Sequence, residues 1–327
     1  MDYIKANVSD LVIGDDILWR GKPCKVTEIL GPNTVKIQEY KNRKVGDREL
    51  KDRKIAIGDL GMPIDKIITR DSSPLFAELS SYLVTQYKMN DKSASTTVTD
   101  TKGVNNATIT QNTNLLTTTG KVGSAFKLNG VSDYINCNKG FESTFQDSFS
   151  IVVGAKINDF SVKTDQSLCG FYEYNDSYTP KNLIHIQLDS NWILQGYYYS
   201  NEEGVPNFKN AQAETSSACI SSGYQDWHLF VMVVDNSSRQ IYLYVDGILQ
   251  TLGTGSSKDG SFSAALDMTE FALNYDFYVG ARNAEDVLSN NVYGILDNFM
   301  LFSKALTQAE ITALYNNGSW AEDITYN

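Results

Sequence analysis

The sequence predicts an all-β protein, in which two antiparallel sheets face each other, with a small β-barrel before them and one short helix near the C-terminus. Two observations support this prediction. The chain has 19 Tyr and 14 Phe but only two His, and aromatic residues favour half-buried strands. Short apolar stretches also recur with turn residues such as Asn-Gly and Asp-Gly between them, as in a sandwich or a barrel.

The bulk properties favour two domains and argue against nucleic acid and membrane as partners. The 327 residues suffice for two cores, and no apolar run is long enough to span a membrane. Residues 1–70 hold 14 Lys+Arg against 11 Asp+Glu (net +3), whereas the remainder holds 14 against 28 (net −14). This asymmetry predicts a boundary near residue 70, and the acidic main body argues against binding DNA or RNA.

Two further features concern the cellular compartment. The start "MDYIKANVSDLVIGDD" lacks a basic segment followed by an apolar one, so synthesis in the cytoplasm without an export signal is expected. The four cysteines are far apart without metal-ligand or redox spacing, which predicts free buried thiols at Cys24, Cys137, Cys169 and Cys219.

The first 70 residues predict a small β-barrel that serves as an anchoring module. Its apolar segments "DILWRGKPCKVTEI", "TVKIQEY" and "IAIGDL" are short, and about five such strands suggest an SH3-like barrel. The motif "IGDDILWRGKPCKV" resembles small modules at the start of some bacteriophage proteins. A basic loop, which is either a docking surface for an acidic partner or a solvated face, contains Lys41, Arg43, Lys44 and Arg48. Residues 71–77 are predicted to form a linker, because Pro63 and Pro74 bracket the segment "MPIDKIITRDSSPL" that leads into it.

The elements of residues 78–327 follow from apolar periodicity and turn chemistry. In "FSIVVGAKI" (149–157) alternate residues point one way and predict an inner wall of the sandwich. "FKLNGVSDYI" predicts a hairpin around Asn129-Gly130. The Thr- and Asn-rich stretch 92–119 favours edge strands and loops over a disordered tract.

A second hairpin and the helix complete the body. In "WHLFVMVVDNSSRQIYLYVDG" (227–247) the first strand is apolar on both faces, which predicts cover on both sides, whereas the second alternates. Near the C-terminus, Thr307 and Glu310 form the pattern of a capping box. An apolar stripe follows and Gly318 can end the helix.

The order of these pieces resembles a known family. "LVTQYKMND", "GKVGSAFKLNGVSDYINC", "SFSIVVGAKIND", "WHLFVMVVD", "QIYLYVDGIL", "FYVGARN" and "YGILDNFMLFSKALTQAEITALYNNG" are similar, in that order, to the laminin-G-like or concanavalin-A-like jelly-roll domain. The resemblance covers residues 78 to 318, roughly three quarters of the chain. It implies a jelly-roll sandwich over residues 78–327.

Catalytic constellations are largely excluded by composition. A Ser-His-Asp or Cys-His site needs one of two histidines; His228 begins a strand where the family's pattern also has His, and His185 lies on the less apolar face of its strand. Jelly-roll glycosidases place two carboxylates about 5 to 9.5 Å apart, commonly on one strand, and this chain has no such run. The pairs Asp267/Glu270 and Glu202/Glu203 would face opposite sides of a strand. A non-enzyme is therefore expected, with two carboxylates from separate strands as the alternative.

No cofactor is required by any motif, but the resemblance implies that one calcium ion can bind at a loop edge. Oxygen ligands are available without the dense spacing of a calcium loop, at Asp91, Asp100, Asp133, Asp246 and Asp297. Asp297 matches a position that recurs in the family, and its alternative role is that of a hydrogen-bonded turn residue.

The best candidate site is the aromatic and amide-rich segment 171–208. Sugars stack their C–H faces on aromatic rings and hydrogen-bond to amides and carboxylates. The ligand-binding candidates are Tyr172, Tyr174, Tyr178, His185, Trp192, Tyr197 and Tyr199. The amides and carboxylate beside them are Asn175, Asp176, Asn191, Gln195 and Asn201. The alternatives are a protein contact face and the ordinary preference of Tyr for strands, with Tyr198 and Trp192 pointing inward.

Together these observations predict a non-enzymatic virion accessory protein of a bacteriophage, such as a head fibre, decoration or tail-associated protein. The family usually acts outside cells, and a virion protein made in the host cytoplasm reaches the outside without an export signal. Its expected partners are phage particle proteins, docked by the first module, and a glycan or bacterial cell-surface polymer; self-association is left open. The alternatives are a glycoside hydrolase or lyase on a jelly-roll scaffold and a free carbohydrate-binding lectin.

Overall fold

A computed structural model gives the structure of the protein. It describes the strand backbone at 2–6, 16–19, 22–31, 34–40, 50–56 and 64–68, and then residues 74–321 apart from 159–164, 175–179, 201–209, 221–225, 255–257 and 263–267. Side chains are described from residue 78 onward. The chain divides into two compact units, Met1–Phe76 and Ala77–Asn327.

The first unit contains an antiparallel sheet. Its described strands are β1 (Asp2–Ala6), β2 (Asp16–Trp19), β3 (Lys22–Gly31), β4 (Thr34–Tyr40), β5 (Leu50–Ala56) and β6 (Ile64–Ile68). They are hydrogen-bonded in the order β1-β6-β2-β3-β4-β5. The strands agree with the expected β content, and the SH3-like barrel stays a prediction. Lys41, Arg43, Lys44 and Arg48 lie outside the described residues, as does the side chain of Cys24.

Helix α1 (Pro74–Tyr82) begins inside the predicted linker 71–77 and was not predicted. Pro74 is its first residue, where proline is well tolerated because the missing N–H would be unpaired in any case. The same proline had indicated a linker. Leu79 of this helix is fully buried.

The second unit is built from short strands and three further helices among its described residues. The elements are β7 (Leu83–Tyr87), β8 (Thr97–Val98), β9 (Ala107–Ile109), α2 (Thr113–Leu116), β10 (Thr117–Thr119), β11 (Ser124–Asn129), β12 (Ile135–Asn136), α3 (Glu142–Phe145), β13 (Phe149–Ile157), β14 (Asp165–Tyr174), β15 (Pro180–Asp189), β16 (Leu194–Ser200), β17 (Asn210–Glu214), β18 (His228–Asp235), β19 (Gln240–Val245), β20 (Ile248–Leu249), β21 (Tyr278–Val279), β22 (Arg282–Ala284), β23 (Val287–Ser289), β24 (Tyr293–Phe302) and α4 (Gln308–Tyr315). No helix in the described part of the chain is both long and apolar enough to cross a bilayer.

The strands form two facing sheets, which confirms the predicted all-β sandwich of jelly-roll type. Sheet I has eight described strands in the order β10-β11-β24-β13-β18-β19-β20, with β7 also paired to β24. Sheet II has ten described strands in the order β17-β16-β15-β14-β21-β12-β9-β8, with β22 beside β14 and β23 beside β22. The β14–β22 pair is parallel, and the other described pairs of both sheets are antiparallel.

One hydrophobic core fills the space between the sheets. The alternate residues of β13 lie in it, as predicted; they are Phe149, Ile151, Val153, Ala155 and Ile157. From sheet II, Tyr198 points inward as expected, stacks on Phe271 with ring centroids 5.6 Å apart and donates its hydroxyl to the Phe145 carbonyl at 2.8 Å. Burial of each such ring contributes roughly 1.5–3 kcal/mol. The free thiols of Cys137 and Cys169 are buried in this core, and that of Cys219 is partly buried.

The predicted hairpin around Asn129-Gly130 is wrong. Strand β11 pairs with β24 in sheet I, whereas β12 pairs with β9 and β21 in sheet II. The Asn129 side chain accepts hydrogen bonds from the backbone N–H groups of Val131, Ser132 and Asp133 at 2.8–3.2 Å. These bonds stabilise a longer connection, so the chain crosses from one sheet to the other instead of turning back.

The strand predictions for 92–119 and 227–247 and the predicted start of the C-terminal helix are confirmed, whereas α2 within 92–119 was not predicted. Residues 92–119 form β8, β9, α2 and β10, with Val98 and Ile109 buried. Strand β18 is apolar and buried on both faces, and β19 turns Ile241, Leu243 and Val245 to the core. The capping box of Thr307 and Glu310 is formed. The helix ends at Asn316, in the left-handed conformation (φ +44°), rather than at Gly318.

The outer face of sheet I is covered by α4 and the residues after it. Gln308 donates to the Gly247 carbonyl at 2.7 Å. The Trp320 ring lies so close to Gly154 that a Cβ there would come within 2.3 Å of it, and Trp320 packs edge-on against Trp227. This cover explains why the apolar outward residues of β18 are buried. It also directs the search for a binding surface to sheet II.

Candidate functional site

The candidate site lies on the outer face of sheet II, across β14, β15, β16 and β17. Burial alternates along β16, so that Gln195, Tyr197 and Tyr199 are partly exposed while Leu194 and Tyr198 are buried. On β15, Ile184, Ile186 and Leu188 face the core, which confirms that His185 lies on the other side. The sequence alternation therefore identified the outer face correctly.

The strand register places the predicted aromatic residues side by side. Tyr172 of β14 is opposite Leu183 of β15, which is opposite Tyr199 of β16. In the neighbouring row, His185 is opposite Tyr197. Directly opposed side chains lie about 5 Å apart at their Cβ atoms. We call this cluster the tyrosine face; it comprises Tyr172, Tyr174, His185, Tyr197 and Tyr199.

His185 lies at the centre of the tyrosine face and is fully buried by its neighbours. Its ring stacks on Tyr197 (centroids 5.8 Å apart, planes 22° apart) and meets the edge of Tyr172 at 5.3 Å. Gly170 is opposite, and a Cβ on it would lie 2.6 Å from His185 Cδ2, so the glycine makes room for the ring. Burial, followed by the charge of Arg282, lowers the pKa of His185 well below its usual value. The imidazole is therefore neutral.

Ser167 is a polar partner of His185 that alternation could not identify. Its Oγ lies 2.8 Å from His185 Nε2. The register shifts between Ser167 and Cys169, so that Leu168 and Cys169 both enter the core and Ser167 lies opposite Gln187. Strict alternation along β14 from Tyr172 would place the Ser167 side chain on the inner face, and the β-bulge moves it to the outer face.

The Ser167–His185 pair resembles a catalytic nucleophile and its general base only in the short distance between Oγ and Nε2. Both side chains are completely buried. In the described part of the chain, His185 Nδ1 has no hydrogen-bond partner, so no carboxylate orients the ring. The pair therefore positions His185 between the tyrosines, and nothing in its geometry exposes the Ser167 hydroxyl to a substrate.

Arg282 borders the tyrosine face and was not singled out in the sequence, where it lies within the family-like segment "FYVGARN". Its Cζ lies 4.5 Å from the centroid of the Tyr172 ring, a cation–π contact. Its Nε donates to Ser289 Oγ at 3.0 Å across the β22–β23 pair. Tyr172 and Tyr174 lie 5.7 Å apart, so the three side chains form one continuous surface.

A network of amides continues the face beyond the tyrosines. Gln187 donates to Gln195 Oε1 at 2.6 Å, and the Tyr197 hydroxyl donates to the same oxygen at 3.1 Å. Gln212 donates to Glu214 at 2.7 Å, and Lys258 pairs with Glu214 at 2.9 Å. Burial is the largest factor that raises the pKa of Tyr172 and of Tyr197. Their phenols thus remain neutral hydrogen-bonding groups at physiological pH.

Two of the predicted ligand-binding residues are not placed on this face. Trp192 lies in the β15–β16 turn with φ +62°, and its ring packs against the core beside the Asp189 end of β15, whereas Tyr172 pairs near the other end. Tyr178 lies outside the described residues. The accompanying Asn175, Asp176 and Asn201 lie outside them as well.

The candidate carboxylates serve separate loops. Asp100 accepts backbone N–H bonds from Gln86, Val104 and Asn105, and Asp297 Oδ2 accepts those of Lys121 and Val122 at 2.7 and 3.0 Å. Asp297 itself lies in strand β24 and is therefore not a turn residue. Its carboxylate stabilises the turn that contains Lys121 and Val122. Among the described residues, no three or more His, Cys, Asp or Glu side chains converge as metal ligands, and calcium stays a prediction.

The remaining catalytic candidates are either structural or not described. His228 begins β18 and its Nδ1 lies 2.7 Å from Asp246 Oδ2, a hydrogen-bonding role as predicted. Glu202, Glu203 and Asp267 lie outside the described residues.

Comparison with known proteins identifies the family. Residues 129–312, more than half of the chain, match the model of the concanavalin A-like lectin/glucanases superfamily. The chain belongs to this superfamily. The match agrees with the sandwich and with the predicted resemblance. The description of the superfamily includes both sugar-binding proteins and enzymes. No match was found among curated proteins.

Solved structures share the fold of this concanavalin A-like protein at low sequence identity. Trypanosoma rangeli sialidase in complex with sialic acid is 14% identical, with 94% of this chain and 46% of the sialidase covered and a TM-score of 0.51. Its complex with 2,3-difluoro-KDN is also 14% identical, with 95% of this chain and 54% of the sialidase covered and a TM-score of 0.50. Ruminococcus gnavus IT-sialidase CBM40 is 12% identical over 58% of this chain and 96% of the module, with a TM-score of 0.39. The chain spans about half the length of the sialidases it matches.

Proposed function

We propose that this member of the concanavalin A-like lectin/glucanases superfamily binds a carbohydrate on the tyrosine face of sheet II. The observation that carries the proposal is the strand register, which brings Tyr172, Tyr197 and Tyr199 into adjacent rows on one outer face. Partly exposed rings in such rows offer flat apolar surfaces on which the C–H faces of sugar rings stack.

The polar groups around the rings supply the second requirement of a sugar site. The amides of Gln187, Gln195 and Gln212 and the carboxylate of Glu214 lie on the same face. They already hydrogen-bond to one another, so their orientations are fixed before a ligand arrives. Preorganised donors and acceptors reduce the entropy cost of binding hydroxyl groups.

Binding also agrees with the complete burial of the Ser167 hydroxyl and the His185 imidazole. The buried Ser167–His185 pair gives a substrate no access to the serine. On sheet I, Trp320 lies against Gly154 and α4 contacts Gly247, so part of its outer face is covered.

The test of this proposal is a glycan array probed with the full chain and with Tyr197→Ala and Tyr199→Ala. Each substitution is expected to weaken binding by roughly two- to tenfold, because an aromatic contact contributes about 0.5–1.5 kcal/mol. The control is Tyr242→Ala, which removes a partly exposed tyrosine from β19 of sheet I. Circular dichroism of all variants checks the fold.

Two outcomes would overturn carbohydrate binding at this face. One is the absence of any retained glycan on a broad array. The other is retention that the two sheet II substitutions leave unchanged. An assay of reducing ends after incubation with the retained polysaccharide separates binding from cleavage.

The virion setting is a further part of this proposal and rests on the sequence alone. Its docking residues Lys41, Arg43, Lys44 and Arg48 lie in an undescribed segment. A gene neighbourhood with capsid, portal or tail genes, and the protein's presence in purified particles, would support it. Its absence from the particles of a phage that encodes it would contradict it.

A further inference from the structure

Arg282 is a cation held in a fixed orientation at the edge of the tyrosine face. The Tyr172 ring supports its guanidinium plane, and Ser289 Oγ accepts the bond from Nε. Stacking and one hydrogen bond together restrict the side chain, while its terminal Nη groups carry four of the five donors of a guanidinium. A restricted fork of donors is the geometry that recognises a planar oxyanion with two parallel hydrogen bonds.

Within the described part of the chain, Arg282 forms no ion pair, unlike three other cations near carboxylates. Lys181 pairs with Glu173, Lys258 with Glu214, and Lys304 with Glu78 and Glu310. The domain is acidic overall, because residues 71–327 carry 28 Asp+Glu against 14 Lys+Arg. Among the described residues, no carboxylate forms an ion pair with Arg282.

Two described carboxylates on or near β14 and β22, Asp165 and Glu285, form no ion pair with the guanidinium of Arg282. Asp165 interacts with it electrostatically but beyond the 4.0 Å of an ion pair; burial and then Asp189 raise the pKa of Asp165, and Arg282 opposes them. Glu285, in the turn after β22, accepts the backbone N–H of Tyr174 at 2.8 Å. Neither carboxylate occupies the donors of Arg282.

We propose that the carbohydrate bound at the tyrosine face is acidic and that Arg282 binds its carboxylate. This inference rests on the proposed function and adds the class of the ligand. A sugar ring stacked on the tyrosines would place a ring carboxylate of uronic-acid type beside Arg282, which lies against Tyr172. The contact selects anionic over neutral sugars, because a neutral ligand would leave the guanidinium partly desolvated without a counter-charge.

The experiment measures binding of the full chain to glycans retained on an array that contains neutral, uronate and sulfated members. Each retained uronate glycan is also offered after chemical reduction of its carboxyl groups to alcohols. Uronate glycans are expected to dominate, and carboxyl reduction is expected to weaken binding at least tenfold. Sulfated glycans of equal charge show whether any oxyanion suffices.

Two variants with the same change in net charge isolate the role of Arg282. Arg282→Gln is expected to weaken binding of the uronate glycans at least tenfold. It is also expected to reduce the dependence of this binding on salt concentration. Arg239→Gln removes an exposed arginine from the β18–β19 turn of sheet I, away from the tyrosine face, and is expected to change binding less than twofold. Arg282→Lys keeps the charge without the fork and is expected to lie between them.

The outcomes separate this inference from the function on which it rests. Retention of neutral glycans alone, or equal binding after carboxyl reduction, overturns the acidic ligand while leaving carbohydrate binding intact. Equal losses for Arg282→Gln and Arg239→Gln overturn the specific contact. A complete absence of glycan binding overturns both proposals.

Discussion

Residue-level packing explains how a histidine can lie on the outer face of a sheet and still be buried. His185 occupies the space left by Gly170, with Tyr172 at its edge and Tyr197 stacked beside it. Gly154 serves a related purpose in sheet I, where the Trp320 ring lies against its backbone. In both cases a missing Cβ allows an aromatic ring to approach a strand closely, as packing densities in protein interiors require.

The neutral state of His185 has a consequence for acid stability. The groups that face it are the Tyr172 and Tyr197 phenols, the Ser167 hydroxyl and, as a charge, Arg282. Its pKa is depressed in the folded state, whereas it is about 6.5 in the unfolded chain. Below that pH the unfolded state binds a proton that the folded state does not, so stability falls as pH decreases.

We therefore predict that between pH 7.5 and 5.5 the wild type loses about 1.4 kcal/mol more unfolding free energy than His185→Gln. Urea denaturation at several pH values measures the difference. Equal pH dependence of the two proteins would contradict the prediction. If the variant does not fold, NMR titration of His185 in the wild type provides the same test, since titration near pH 6.5 would be incompatible with a neutral buried ring.

Helices and strands were predicted correctly where all the residues that determine the element lie within one short segment of the sequence. The box of Thr307 and Glu310 predicted the start of α4 because both partners lie within one helical turn. Glu310 is further held by Lys304 at 2.7 Å. The alternation of β13 worked for a similar reason, since a central strand keeps its period of two.

Prediction from local sequence failed where contacts with another segment determine the path of the chain. Asn129-Gly130 is followed by Val131, Ser132 and Asp133, whose backbone N–H groups bind the Asn129 side chain and carry the chain to the other sheet. The Ser167 bulge reverses the alternation of β14 in its middle. Neither a crossover nor a bulge alters the local composition enough to be recognised.

The capping box leads to a prediction for α4. Thr307→Ala is expected to lower the unfolding free energy by about 1 kcal/mol, because it removes the acceptor of the Glu310 N–H at the helix start. Thermal or urea denaturation measures the change. The control is Thr312→Ala within the same helix, whose hydroxyl binds the Gln308 carbonyl on an exposed face. It should be neutral or slightly stabilising, because alanine is the better helix former; a larger loss there than at Thr307 would contradict the role of the cap.

For the whole molecule, the sandwich is closed by strands from the two ends of its sequence. Strand β7 pairs with β24, so that Tyr87 lies opposite Phe299 and their rings stack 5.8 Å apart. Contacts of such large sequence separation are costly to form and slow the folding of β-sandwiches. The second unit therefore depends on its first strand as much as on its last.

A pair of fragments tests this dependence. Residues 74–327 retain α1, β7 and their buried Leu79 and Leu83, and are expected to fold with a cooperative transition. Residues 91–327 lack β7, leave an edge of β24 unpaired and are expected to be insoluble or to unfold at a markedly lower temperature. Circular dichroism and thermal unfolding compare the two. Equal stability of both fragments would show that β7 contributes little.

The sequence by itself determined the all-β class, the outer and inner faces of the central strands and the helix cap, because these depend on periodicity and on groups a few residues apart. It also indicated the tyrosines of the candidate site through their density in one segment. Only the tertiary structure decided that Ser167 joins His185 and that Arg282 lies against Tyr172, although 110 residues separate Arg282 from Tyr172 in the chain. Register, bulges and a parallel strand pair bring these groups together, and each of those arises from contacts between segments that no local pattern encodes.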